Sequence, residues 1–203
     1  MKLVAITQRV AVEPGYRRDC LDQAWIRFMH GTGLLPVPVP NHRRTARALC
    51  ETARVEGVVL TGGDNLEAYG GSFPERDETE FALLDFAEQH AIPVLGVCRG
   101  MQVILHQFRV PLYPVEGHVA ARHRVLIEGN TVEVNSYHRL AARETRPPLE
   151  TWALAEDGAI EATRHVNGRL VGIMWHPERM SPFAQADIEL FRRTFGIAGE
   201  CVP

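Results

Sequence analysis

A chain of 203 residues, 45% of them hydrophobic, is long enough to bury one full core, so we expect a single domain over residues 1–203. Its 22 lysines and arginines and 25 acidic residues leave a net charge of −3, which provides no basic face for nucleic acid. The apolar runs are too short to cross a bilayer, and the first residues predict a short strand rather than a signal peptide.

These observations predict a cytoplasmic protein that has neither a membrane nor a nucleic acid as a partner. The cysteines support that location because they show no paired spacing, and we expect them to be reduced thiols. They are Cys20, Cys50, Cys98 and Cys201.

In the first half of the chain, apolar runs of strand length alternate with amphipathic runs of helix length. Strands are predicted at 3–6, 34–39, 57–60 and 92–97, and helices at 19–30, 45–55, 77–90 and 100–108. This alternation predicts an α/β fold with a mostly parallel central sheet flanked by helices on both faces.

The second half contains short strands separated by turn signals, among which Gly129-Asn130 is a strong hairpin indicator. Strands are predicted at 124–128, 131–134, 152–155, 160–164 and 170–174, before a closing helix at 182–195. Neighbouring strands with such short turns favour a small antiparallel β extension of the sheet.

Cys98 lies between Gly96 and Gly100, immediately after the apolar run at 92–97. Glycines two residues either side of a nucleophile, at a strand-to-helix transition, are typical of a sharp elbow that presents the side chain at the end of a sheet. At a helix N-terminus the helix dipole and the free N–H groups favour a thiolate. The alternative is a buried structural cysteine, because small apolar thiols are common in cores.

A candidate partner for this thiol follows the predicted strand at 168–175. His176 is placed to act as a general base, and Glu178 is placed to orient it, because alternate residues of an extended segment face the same way. The pattern predicts a Cys-His-Glu catalytic triad of Cys98, His176 and Glu178.

The motifs together resemble the class I glutamine amidotransferase superfamily and, within it, the γ-glutamyl hydrolase (peptidase C26-like) group. The resemblance rests on Gly-Val-Cys-Arg-Gly-Met-Gln at 96–102 and Trp-His-Pro-Glu at 175–178, with further matches at 60–63, 134–138 and 157–162. It implies a glutamine amidotransferase-like, flavodoxin-like fold and no cofactor. It also implies hydrolysis of a γ-glutamyl amide through a thioester on Cys98.

The same resemblance implies roles around the nucleophile. Gln102, Asn135, Ser136 and Tyr137 would bind the γ-glutamyl group. For the oxyanion hole we expect two backbone N–H groups, those of Arg99 after the nucleophile and Gly63 after a neighbouring strand.

Four further charged or imidazole side chains enter the prediction. Arg76 and Asp77 are expected to form an ion pair that shapes the loop after the oxyanion strand. His118 and His123 match no known metal-binding spacing, so we expect no metal and place His118 on the leaving-group side of the pocket. The role of His123 stays open.

Arginines near the motifs, namely Arg99, Arg139 and Arg179, favour an anionic leaving group. In its short length and in its motifs at 117–120 and 174–179 the chain resembles the branch that converts γ-glutamyl-CDP-amidate, N5-(cytidine 5′-diphosphoramidyl)-L-glutamine, to glutamate and cytidine diphosphoramidate in capsule assembly. The alternatives are a γ-glutamyl-GABA-type amine hydrolase, a glutaminase subunit feeding a partner synthase, and a non-enzymatic binding protein. We expect a small-molecule substrate and no required partner synthase, and the sequence leaves a homodimer open.

Overall fold

The first half of the chain alternates strands and helices, as predicted. The computed structural model describes residues 1–198, so Cys201 lies outside the described residues. The elements of this half are β1 (Lys2–Ile6), β2 (Arg9–Glu13), β3 (Tyr16–Cys20), α1 (Gln23–Thr32), β4 (Leu34–Pro38), α2 (Arg43–Ala53), β5 (Val58–Leu60), α3 (Pro74–His90), β6 (Val94–Val97) and α4 (Arg99–Gln107).

The second half consists mainly of strands and ends in one helix. Its elements are β7 (Tyr113–Pro114), β8 (Val119–Ile127), β9 (Asn130–Tyr137), β10 (Leu140–Ala141), β11 (Leu149–Ala155), β12 (Ile160–His165), β13 (Leu170–Ile173) and α5 (Gln185–Thr194). Short 3₁₀ turns lie at Glu67–Tyr69 and Pro177–Arg179. No helix among residues 1–198 is both long and apolar enough to cross a membrane.

Nine of these strands form one sheet in the order β4-β1-β5-β6-β13-β12-β11-β8-β9. Neighbours from β4 to β13 are parallel, and neighbours from β13 to β9 are antiparallel. The predicted α/β fold is confirmed, and its antiparallel extension contains four strands. The last strand within residues 1–198, β13, therefore lies between the parallel and antiparallel halves of the sheet.

Helices cover both faces of the parallel half because successive side chains of a strand point to opposite sides. Val4 and Ile6 of β1 pack in one cluster with Phe28 of α1 and Phe191 of α5. Ala5, between them, packs into a second cluster with side chains of α2, α3 and α4. The core is therefore two apolar layers with the sheet between them.

The first helix starts later than predicted because the segment before it is a hairpin. Strands β2 and β3 pair with each other around Pro14-Gly15, a common turn dipeptide. Helix α1 then begins after Asp22, whose side chain accepts a hydrogen bond from the Ala24 N–H at 2.8 Å. The exposed, polar residues of β3 lack the apolar alternation by which a strand is normally recognised.

Helix α4 packs so closely against the sheet that only glycine fits at the contact. A Cβ on Gly100 would lie 2.2 Å from the Leu60 carbonyl oxygen, and a Cβ on Gly96 would lie 2.5 Å from the Gly100 carbonyl carbon. Both neighbours are backbone atoms that cannot rotate away. This close approach confirms the glycine-flanked elbow that the sequence predicts.

Replacing Gly100 with alanine should therefore destabilise the protein strongly. We expect Gly100→Ala to lower the free energy of unfolding by more than about 3 kcal/mol, because helix and strand must separate to admit the methyl group. Urea unfolding measures the effect. The matched control is Gly31→Ala, also within a helix but with open space around its Cβ, which should be neutral or stabilising by up to about 1 kcal/mol. Equal midpoints for the two variants would contradict this account of the elbow.

Candidate active site

Cys98 occupies the elbow between β6 and α4 in a strained backbone conformation. Its φ of 52° and ψ of −104° lie outside the regions that a non-glycine residue normally adopts. The Cys98 N–H donates to the Ile173 carbonyl oxygen of β13 at 2.7 Å, which fixes the strained turn to the neighbouring strand. The side chain lines a cleft at the carboxyl ends of the parallel strands.

His176 and Glu178 reach the same cleft from the end of β13. The imidazole Nδ1 lies 2.7 Å from the Glu178 carboxylate, and both side chains are 3% exposed. The Nε2 atom is buried and has no hydrogen-bond partner of its own. An imidazole that binds a carboxylate through one nitrogen and has its other nitrogen free of hydrogen bonds has the geometry of a proton shuttle.

The pKa of His176 depends on the groups around the ring. Burial lowers this pKa, but the neighbouring Cys98 thiol and the Glu178 carboxylate raise it, and the net effect is a rise to about 9. The imidazole is therefore protonated at neutral pH, in the form that can donate a proton to a leaving amine.

Asn135 positions the His176 backbone. Its side-chain amide donates to the His176 carbonyl at 2.8 Å and accepts from the His176 N–H at 2.7 Å. The sequence placed Asn135 against the substrate, whereas both ends of this amide already have partners. Asn135 thus links β9 to the segment that carries the candidate base.

The loop after β5 supplies the glycine backbone expected of an oxyanion hole. Gly63 lines the cleft with a φ of 135°, and Gly62 packs so tightly that a Cβ there would lie 2.5 Å from the His176 ring. Arg76 holds this loop by donating to the Thr61 and Gly62 carbonyl oxygens at 3.0 and 2.9 Å.

Four buried charges lie beneath this loop. Arg76 pairs with Glu80 at 3.0 Å rather than with its predicted partner Asp77. Arg99 instead contacts both Asp77 and Glu80, and its side chain is only 1% exposed. The Arg99 backbone N–H still follows the nucleophile, but its guanidinium is committed to this cluster and cannot meet a leaving group. Two positive and two negative side chains balance, which offsets the cost of burying them.

The cleft around Cys98 has a cavity volume of about 560 Å³. Its walls include residues predicted from the sequence and several that were not. The lining residues are Arg9, Gly63, Asp64, Asn65, Gly70, Gly71, Ser72, Phe73, Cys98, Gln102, Val119, Tyr137, His138, Arg139, His176 and Arg179. Sequence reasoning missed Arg9, because it lies on the unrecognised β2–β3 hairpin.

Three predicted substrate-binding residues, Gln102, Tyr137 and Arg179, line the cleft as expected. Gln102 extends from the first turn of α4 and donates through Nε2 to the Leu140 carbonyl oxygen at 3.0 Å. Tyr137 stands edge-on to the His176 ring at 5.4 Å, and the Arg179 guanidinium stacks on its face at 4.4 Å. Arg179 also approaches Glu178 at 3.5 Å, so this arginine is close to both the orienting carboxylate and the cleft.

Besides Asn135, two predicted substrate contacts do not line the cleft. Ser136 is fully buried, and its hydroxyl donates to the His118 carbonyl oxygen at 2.7 Å. The His118 side chain is also buried and faces His138 and Glu161 instead of the pocket. Ser136 directly precedes Tyr137 on β9, so the two side chains point to opposite faces of the strand, and Ser136 lies behind the cleft wall.

Comparison with known proteins identifies the family. The family model for peptidase C26 matches residues 2–178. The chain belongs to the peptidase C26 family. The resemblance predicted from the motifs is therefore confirmed, and the chain is a hydrolase of that family.

Curated relatives cover most of the chain. One, γ-glutamyl-CDP-amidate hydrolase of Campylobacter jejuni, is 28% identical over 97% of this chain and 99% of its own length. Another, γ-glutamyl-γ-aminobutyrate hydrolase of Escherichia coli, is 27% identical over 81% of this chain and 80% of its own length.

Solved structures share the fold at lower identity. The glutaminase domain of Trypanosoma brucei CTPS superposes with a TM-score of 0.71 at 14% identity, covering 100% of this chain and 97% of that one. A glutamine amidotransferase from Thermotoga maritima gives a TM-score of 0.68 at 16% identity, covering 96% and 84%. These neighbours establish the class I glutamine amidotransferase-like architecture.

The protonation of His176 can be measured directly. We expect its imidazole to titrate at about pH 9 in long-range ¹H–¹⁵N NMR spectra, with the peak assigned by its loss in His176→Gln. Glu178→Gln should lower that midpoint, because the carboxylate that favours the imidazolium is gone. Glu189→Gln, on the exposed face of α5, is the control and should leave it unchanged. A midpoint near 6.5 in the folded wild-type protein would contradict the ion pairing described above.

Proposed function

We propose that this protein hydrolyses a γ-glutamyl amide through a thioester on Cys98. The proposal is supported by the arrangement of Cys98, His176 and Glu178 at one edge of the sheet and by membership of the peptidase C26 family. In acylation the Cys98 thiolate attacks the amide carbonyl carbon, and the N–H groups of Arg99 and Gly63 stabilise the oxyanion. Protonated His176 then donates its proton to the leaving nitrogen as the C–N bond breaks.

In deacylation His176 acts as a general base, whereas in acylation it acts as a general acid. Neutral His176 takes a proton from water as the water oxygen attacks the thioester, and the C–S bond breaks to release glutamate and regenerate the thiolate. Glu178 keeps the imidazole oriented throughout. The Gln102 side chain, anchored to Leu140 through its nitrogen, leaves its oxygen to accept from the substrate α-ammonium group.

For the leaving group we propose a pyrophosphate-bearing one, so that the substrate is N5-(cytidine 5′-diphosphoramidyl)-L-glutamine and the products are glutamate and cytidine diphosphoramidate. The observation that carries this proposal is the presence of three arginines, Arg9, Arg139 and Arg179, in one cleft. Guanidinium groups bind phosphate oxygens with charge-assisted, often bidentate hydrogen bonds. The relative from Campylobacter jejuni is named for the same reaction.

A γ-glutamyl-GABA-type substrate is the second candidate, because its leaving group ends in a carboxylate that one arginine could bind. It differs in needing a single guanidinium rather than three. In both cases we propose that the enzyme works without a partner synthase and without a cofactor, since water is the only co-substrate in the scheme.

Removal of the nucleophile tests the chemistry. Cys98→Ala should lower kcat by at least about three orders of magnitude with any γ-glutamyl substrate, while the unfolding midpoint stays near that of the wild type. Cys20→Ser, which changes an exposed thiol on β3, is the control and should keep normal activity. More than a tenth of wild-type turnover in Cys98→Ala would remove this thiol from the mechanism.

Removal of the arginines tests the substrate. With the diphosphoramidyl substrate, Arg139→Ala and Arg9→Ala should each raise KM by roughly ten-fold or more, because each loses a charge-assisted hydrogen bond worth about 1.5–3 kcal/mol. With neutral γ-glutamyl-p-nitroanilide both variants should behave like the wild type. Arg18 is an exposed arginine on the same hairpin as Arg9, and Arg18→Ala should leave KM unchanged for both substrates.

Three outcomes of this assay are distinguishable. If the arginine variants lose equal activity on the charged and neutral substrates, the arginines have a structural role. That outcome would contradict the proposed leaving group. A higher kcat/KM for γ-glutamyl-GABA than for the diphosphoramidyl compound would favour the second candidate. Activity on glutamine alone, appearing only when a synthase is added, would favour a glutaminase subunit.

A further inference from the structure

Behind the wall of the cleft, four side chains converge that the sequence could not connect. His118 precedes β8, His123 lies within it, His138 follows β9, and Glu161 lies on β12. Each offers one nitrogen or oxygen atom, and the four atoms lie within 4.8 Å of one another. Three of the four residues are buried, and Glu161 is completely inaccessible.

Three of the distances match a tetrahedral coordination shell. The His118 Nδ1 atom lies 3.2 Å from His138 Nε2 and 3.3 Å from a Glu161 oxygen, and that oxygen lies 3.2 Å from His138 Nε2. A tetrahedral Zn²⁺ with bonds of 2.0–2.1 Å separates its ligand atoms by about 3.3–3.4 Å. His123 Nε2 approaches the other Glu161 oxygen at 3.5 Å and is the fourth available donor atom, within 4.8 Å of the others.

Hydrogen bonding alone accounts poorly for this cluster. A charge-assisted bond from imidazolium to carboxylate normally closes to about 2.7–2.9 Å, whereas every contact to Glu161 is 3.2 Å or longer. Neither Glu161 oxygen nor His123 Nε2 has a hydrogen-bond partner of acceptable geometry. Buried carboxylates without partners are costly, so these atoms lack the ligand that would satisfy them.

The surroundings of His118 supply a further sign of metal ligation. The His118 Nε2 atom faces an Asp157 carboxylate oxygen at 3.3 Å, on the opposite side of the ring from the cluster. Asp157 is itself held by the Ala159 N–H at 3.0 Å and lies close to Arg143. A carboxylate behind a histidine fixes the tautomer that directs the other nitrogen's lone pair at a metal ion.

We propose that His118, His123, His138 and Glu161 form a binding site for one divalent transition-metal ion, with Zn²⁺ the best match to a three-imidazole, one-carboxylate donor set. Four protein ligands with no free position are typical of structural rather than catalytic zinc. The ion would tie β8 and β9 to β12 across the intervening strand β11. His138 is also part of the cleft wall, between Tyr137 and Arg139, so the metal would fix the wall that the proposed leaving group contacts.

The test measures metal binding rather than turnover, so it does not depend on the proposed function. Untagged protein is stripped with EDTA and titrated with ZnCl₂ by calorimetry. The Cys98→Ala background is used, because Cys98 and His176 could also bind zinc. We expect one Zn²⁺ per chain and a rise in Tm on binding. Binding weaker than about 10 μM would overturn the site.

Variants locate the ion. His123→Ala, which removes the most exposed ligand, and Glu161→Gln should each weaken binding by at least about 100-fold, whereas Asp157→Ala should weaken it by about 10–100-fold. His165→Ala, on the same strand as Glu161 but outside the cluster, is the matched control and should bind normally. Undiminished affinity in both His123→Ala and Glu161→Gln would place the metal elsewhere and overturn the proposal.

A spectroscopic readout keeps the proposal testable if the cluster variants do not fold. Co²⁺ added to the Cys98→Ala protein should give the intense visible absorption of a tetrahedral site with nitrogen and oxygen ligands, and one equivalent of Zn²⁺ should abolish it. The absence of this absorption would overturn the proposal.

Discussion

The close contact between helix α4 and strand β5 is the constraint on which the candidate site depends. Only because Gly100 lacks a side chain can the helix begin against the Leu60 carbonyl, and only then does Cys98 stand in its strained turn. The same contact aims the α4 N-terminus into the cleft, where its N–H groups and dipole favour negative charge. Backbone packing thus determines where the thiol lies and which helix end faces it.

Buried polar groups then hold the parts of the site at fixed distances. Arg76 donates a hydrogen bond to the loop that carries Gly63. The Arg99 side chain pairs with Glu80 and so fixes the position of Arg99, whose backbone N–H follows the nucleophile. On the opposite side, Asn135 binds both backbone groups of His176. Each of these residues satisfies several partners at once, so removing one leaves buried groups unpaired. These buried groups therefore hold the site in place from the side away from the cleft. The reacting side chains keep atoms free to contact the substrate.

The sequence predicts most of this architecture, and its failures have physical causes. Local patterns located Cys98, His176 and Glu178, because an elbow and a strand end need particular residues at short spacing. The same patterns could not assign Arg99, whose side chain binds carboxylates on α3. They also could not recognise Arg9, because β3, the second strand of its hairpin, is exposed and lacks apolar alternation. They also gave no sign that Glu161 meets three histidines, since that meeting depends on the order of strands in the sheet. Contacts between distant segments are a property of topology, which short motifs do not encode.

The position of β13 at the centre of the sheet has a consequence for how the chain acquires its shape. Strand β6 pairs on one side with β5 and on the other with β13, which is synthesised after the entire antiparallel half. Until β13 arrives, β6 presents an unpaired apolar edge of the kind that promotes association between chains. Insertion of β13 closes that edge and, in the same event, delivers His176 beside Cys98. A nascent chain is therefore most prone to aggregate while it is still inert, and it gains the complete site as that exposed edge disappears.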